Sequence, residues 1–227
     1  MKYPVHTSTQ FDVELKAVCA SVLQMGTAVE NQFRLTLDFL ETGDVMTIDR
    51  VISEGQEINS MEIEIDERCT NILVRRQPTA NDLRLVTTII KTINDLERIG
   101  DEAESIALVS KQLDVKYSTL FPRYHQIKYM GGVANEMLGS ALEAFENMDS
   151  DAARIIVRKD GLIDDEFRTI LRHLVANMME DNSDLSSTLN AVLVARAIER
   201  IGDHAKNISK HVIYMMEGRE VRNNKDN

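Results

Sequence analysis

The chain has 227 residues, 43 % of them hydrophobic, enough to fill one helical core or two small ones. Its 37 acidic and 26 basic residues give a formal charge of −11, which argues against a nucleic-acid partner, because phosphates are bound by clustered Lys and Arg. Cations and basic protein surfaces are the complementary partners, and no apolar run long enough for membrane insertion and no basic-then-apolar leader is present, so the expectation is a cytoplasmic protein.

With 5 % aromatics, no Trp and only three prolines, the vocabulary of Leu, Ile, Val, Met, Ala, Glu, Asp and Arg favours helix over strand. The first predicted helix covers 9–42 and stops at Gly43, where a left-handed residue ends it, and Asp44 then stands ready to cap the second. That second helix covers 45–76, because the residue before Pro78 is pushed out of the helical region. A third starts near Asn81, whose side chain can cap free amides, and runs to about Leu113. After a linker at 114–122 the pattern recurs at 124–148, 150–180 and 184–218, followed by a polar tail at 219–227.

The recurrence is a true internal repeat. An offset of 105 lays Leu37, Phe39 and Asp44 on Leu142, Ala144 and Asp149, and Met25-Gly26 on Met130-Gly131. Past a loop three residues longer in the first copy, the offset becomes 102 and Glu97 meets Glu199. In the third helix Val86, Ile89, Ile93, Leu96, Gly100, Ala103 and Ala107 alternate steps of three and four, the seam of a helical bundle, with Thr188, Ala191, Ala195, Ile198, Gly202, Ala205 and Ser209 matching them. The expected fold is all-α: two tandem antiparallel three-helix bundles, 8–113 and 123–218, joined by one linker. Cys19 and Cys69 lie on apolar helical stretches and read as reduced core thiols.

The five residues Glu-Arg-Ile-Gly-Asp occur twice, at Glu97 to Asp101 and Glu199 to Asp203. The spacing puts Glu97 with Asp101, and Glu199 with Asp203, on one helix face, where like charges cost a few tenths of a kcal/mol and the glycine costs about 0.8 to 1 kcal/mol. Seam packing explains the glycines but not the acids. Hard cations such as Mg²⁺, Ca²⁺, Mn²⁺ or iron do, because carboxylate oxygens coordinate them. Asp160 and Asp164 form another such pair on the antiparallel fifth helix; in the first copy Gly55 and Asn59 stand at those places, with Glu62 and Asp66 nearby. The plainer alternative is a solvated acidic face that Arg98 and Arg200 neutralise. No His has a Glu three residues before it, as a carboxylate-bridged di-iron enzyme requires, and no phosphate loop or nucleophile triad is evident. His204 beside Asp203 reads as a structural histidine.

Arg75-Arg76-Gln77-Pro78-Thr79-Ala80-Asn81-Asp82-Leu83, Asp95 to Asp101, Met178 to Asp181 and Ile198 to His204 closely resemble the PhoU family, bacterial regulators of phosphate uptake. The resemblance implies two three-helix bundles and a non-enzymatic role that restrains the phosphate-starvation response when phosphate is plentiful. It implies contact with the ATPase subunit of the phosphate ABC transporter and with a phosphate-sensing histidine kinase. It also implies metal ions, of iron, manganese, magnesium or zinc type, on Glu97 and Asp101 and on Glu199 and Asp203, with Asp160 and Asp164 facing the second pair. Gly55 departs from the acid expected there. Exposed apolar positions on long helices point to a homodimer. A metal-dependent phosphatase or hydrolase, and a purely structural helical scaffold, are the competing readings.

Overall fold

The computed structural model describes residues 9–44, 46–111, 122–180 and 185–219, with side chains for all of these except 9, 122–124 and 177–180. They form six helices: α1 (Thr9–Thr42), α2 (Met46–Arg76), α3 (Ala80–Ser110), α4 (Pro122–Asn147), α5 (Ser150–Glu180) and α6 (Leu185–Glu217). No strand occurs among the described residues.

The punctuation works largely as expected. Gly43 takes a φ of 67°, its amide closes onto the Phe39 carbonyl at 2.8 Å, and Asp44 Oδ1 accepts from the Met46 amide at 3.1 Å. The second repeat makes the same turn without glycine: Met148, which occupies the Gly43 place, holds a φ of 53°, and Asp149 Oδ1 accepts from the amides of Asp151 and Ala152 at 3.0 and 2.9 Å. The recurring Asp therefore carries the turn.

Two expectations need correction. Asn81 does not cap α3: Thr79 is the N-cap residue and makes no side-chain cap bond, while Asn81, already inside the first turn, accepts from Arg84 instead. Pro122 is not linker but the first residue of α4, where a missing N–H costs nothing because that donor has no intrahelical partner. The boundaries expected at Val45, Leu113 and Asp184, the linker 114–121 and the tail 220–227 lie outside the described residues.

The α3 seam is buried along its whole length, with Val86, Ile89, Ile93, Leu96 and Ala103 sealed from solvent. Each of the Val, Ile and Leu chains contributes about 1.5 to 3 kcal/mol of burial. Ala195, Ile198, Gly202, Ala205 and Ser209 do the same on α6, whereas Thr188 and Ala191 near its start are half-buried. Gly202 serves close approach: a Cβ there would stand 2.5 Å from Ile163 Cδ1 of α5.

The two bundles do not hang from a linker. The pairing of α3 with α6 is the most extensive in the molecule, and α1 packs on α4 across the repeat boundary. That second contact is reciprocal. Leu142 of α4 seats on Gly26 of α1, and Leu37 of α1 seats on Gly131 of α4, the same knob and the same seat offset by 105 residues. The contact has the self-complementary form of a two-fold interface.

Candidate functional site

Each repeat presents its acids where its third helix meets its second. In the first repeat Glu97 and Asp101 lie together on α3, and Glu62 approaches Glu97 from antiparallel α2. Burial, and then the Asp101 and Glu62 charges, raise the Glu97 carboxyl above the ordinary glutamate value. Burial and Asp66 raise Glu62 likewise. Arg98 is the nearby cation, 3.5 Å from Glu97 and 3.8 Å from Asp101, and it is 61 % exposed. So loose a guanidinium neutralises little.

The second group is deeper. Asp160 on α5 and Glu199 on α6 are only 6 % and 8 % exposed, while Asp164 and Asp203 are half-buried. Burial raises the Glu199 carboxyl, Arg196 at 2.8 Å opposes the rise, and Asp203, Asp164 and Asp160 add to it. All four expected acids of this repeat thus share one electrostatic neighbourhood. Lys206, which sequence reasoning missed, lies among them: its ammonium donates to Asp160 Oδ2 and stands 3.4 Å from Asp203 Oδ1. Burial raises the Asp160 carboxyl despite that ammonium, with Asp203 and Asp164 adding to the effect.

Donor chemistry fits a hard cation, because every ligand atom offered is a carboxylate oxygen. Glu199 Oε2 is an orphan, buried and without a hydrogen-bond partner. As the side chains stand, no group of three or more His, Cys, Asp or Glu among the described residues converges to hold one ion. The fit is therefore in donor type, charge and neighbourhood.

The reverse faces of α3 and α6 join the repeats. Asp95 accepts from His204 Nδ1 and His211 Nε2, both at 2.8 Å. Burial alone would raise the Asp95 carboxyl, but those two hydrogen bonds and the histidine charges hold it below the usual aspartate value. Arg200 does not neutralise Glu199, as the plainer alternative would require; it turns to the neighbouring repeat and pairs with Glu102 on α3 at 2.9 Å. His204 bonds across the repeats to Asp95. Asp95 was not singled out as a partner for it, and only the helix pairing reveals that.

The fold and site define a class: an all-helical tandem-repeat protein whose halves each carry an acid pair on the third helix. A family model described as the PhoU domain matches residues 22–109 and again 127–212. A Burkholderia protein named "Phosphate-specific transport system accessory protein PhoU homolog" is 43 % identical over 96 % of this chain and 93 % of its own length. The crystal structure of PhoU from Pseudomonas aeruginosa superposes with a TM-score of 0.86 at 40 % identity, covering 92 % of this chain and all of that one. The crystal structure of the phosphate transport system regulatory protein PhoU from Streptococcus pneumoniae gives the same TM-score at 27 % identity, over 93 % of this chain and 99 % of that one. The chain belongs to the PhoU family.

Proposed function

We propose that this protein is a cytoplasmic, non-enzymatic regulator of phosphate uptake and of phosphate-starvation signalling, acting by contact with the transporter's ATPase subunit and with a phosphate-sensing histidine kinase. The observation that carries this reading is the match of both repeats to a family whose close relatives are named accessory proteins of phosphate-specific transport. The site supports it. Its carboxylates gather where the second and third helices of each repeat meet, and no helix of the described residues is long and apolar enough to cross a membrane.

Glu97, Asp101, Glu199, Asp203, Asp160 and Asp164 are the proposed ligands for divalent or iron-type ions; zinc is the least suited, since oxygen-only donors favour harder cations. A bound cation would cancel the local negative charge and hold α3 to α2, or α6 to α5. The protein's own part is to keep the acids apart on rigid helices until the charge is met. Exposed Leu185, Leu189 and Leu193, four residues apart on α6, support the homodimer reading.

Co-purification tests the reading: tagged chain is captured with transporter ATPase and kinase, with and without chelator. Retention of both partners is expected, weakened by chelator and by alanine at Glu97, Asp101, Glu199 and Asp203 together. Unchanged binding by that folded variant would sink the cation-dependent part, and capture of neither partner would sink the regulator reading itself.

A further inference from the structure

Three residues beyond each acid pair the two repeats carry opposite charges. Glu104 follows Asp101 and Lys206 follows Asp203, and the offset of 102 makes them one position. Each faces the place on the second helix where the repeats also differ. A Cβ on Gly55 would stand 3.0 Å from Glu104 Oε2, while Asp160, the counterpart of Gly55, takes the Lys206 ammonium. The acid missing from α2 thus has a stand-in from α3: Glu104 adds to the field of Asp101, which with Glu62 acts on Glu97, so four acids follow one another along this face. The second keeps four acids and gains an ammonium.

A buried orphan oxygen accompanies each group. Glu199 Oε2 belongs to a side chain 8 % exposed. Gln32 Oε1, on a side chain sealed from solvent, has no partner and sits 3.1 Å from the Cβ position of Gly100, beside Asp101, while its Nε2 donates to the Val51 carbonyl at 2.9 Å. An unpartnered buried acceptor is costly to leave so, and an ion or a water would meet it.

We infer that position 104/206 sets the order in which the repeats take a divalent cation: Glu104 completes an oxygen-only site in the first, whereas Lys206 is a built-in counter-ion that a cation must displace from the second. The inference rests on the metal-binding reading above and adds which half fills first. Carboxylates whose guanidinium neighbour, Arg98, is exposed and loosely placed gain most from a cation. A carboxylate group that already holds a part-buried ammonium gains less, because the displaced ammonium must find other partners or solvent.

The test uses the full chain stripped of metal and titrated with Mn²⁺, free ion being followed by electron paramagnetic resonance. One Mn²⁺ should bind at least about tenfold more tightly than the next, since ligand charge sets affinity at such sites. Glu104→Gln should weaken the tight event by about tenfold or more and leave the weak one alone. Lys206→Gln, with Lys206→Met as its check, should tighten the weak event and leave the tight one alone, urea midpoints verifying that each variant is folded. Two events of equal affinity, untouched by these changes, would overturn this inference while leaving metal binding intact. No Mn²⁺ bound by wild type or any variant would overturn both.

Discussion

The first and second repeats share helices, turns and the Glu-Arg-Ile-Gly-Asp pentad, yet they treat the resulting charge differently. In the second, Asp160 and Glu199 lie beneath the helix surface, Lys206 is donated to Asp160, and Arg196 covers one oxygen of Glu199. In the first, Asp101 is 57 % exposed, Glu104 adds a further acid, and the Arg98 guanidinium is loosely held at 3.5 to 3.8 Å. A motif repeated letter for letter does not fix a site's charge state; the residue one turn further along does.

The strongest attempt to break that contrast removes Asp160. Asp160→Ala strands a part-buried ammonium, so a loss of about 3 kcal/mol is expected in urea unfolding with chelator present. Glu104→Ala under the same conditions should change stability by no more than about 0.5 kcal/mol, and toward gain, because it relieves like-charge crowding with Asp101. Equal losses from the two would mean that the repeats handle charge alike.

Asp95 has no acidic counterpart, since the offset of 102 places Ala197 there. Asp95→Asn weakens a charge-assisted link to His204 and His211 and should cost about 1.5 to 3 kcal/mol near neutral pH. The Asp95 carboxyl is held below its unfolded value, so its contribution is complete above about pH 3.9 and lost as pH falls through the folded value. Stability curves of wild type and variant should therefore run parallel above that pH and converge below it.

Smaller again is the contrast between the two pentad glycines. Gly202→Ala drives a methyl against Ile163 and should cost about 1 to 2 kcal/mol, overpacking outweighing the better helix propensity. Gly100→Ala meets Gln32 Oε1 at 3.1 Å, a tighter contact than usual but milder than that at Gly202, and should stay within about 1 kcal/mol of wild type by thermal unfolding. The smallest effect is a rate. Both cysteines lie in the first repeat, Cys19 and Cys69 are buried, and burial, then Asp66 and Cys19, push the Cys69 thiol up to about 12. A disulfide reagent should therefore label neither until the first repeat opens, which times that opening separately from the second.

Most of the fold could be read from the residues because its signals are local. Gly43, Asp44, Pro78 and Asp149 punctuate the helices by backbone geometry, and the three-four seam of α3 reports its own burial. The acid pairs were equally visible, being one helical turn apart. What the sequence withheld were pairings across helices: Arg200 chooses Glu102 rather than Glu199, Asp95 meets two histidines more than a hundred residues away, and Lys206 reaches Asp160. Lys206 and Glu104 could have been found, since the repeat offset aligns them and their opposite signs invite the question. Asn81 misled because a good capping residue two positions past the true N-cap is simply part of the helix.

The exchange of Leu37 and Leu142 between the Gly131 and Gly26 seats means that each half offers both a plug and a socket of the same make. Cut at the connection, a single half would keep one of each and could close on a twin, so a half-length chain should assemble in twos. In the joined chain both sockets are filled from within, and this patch is not left open to recruit further copies end to end.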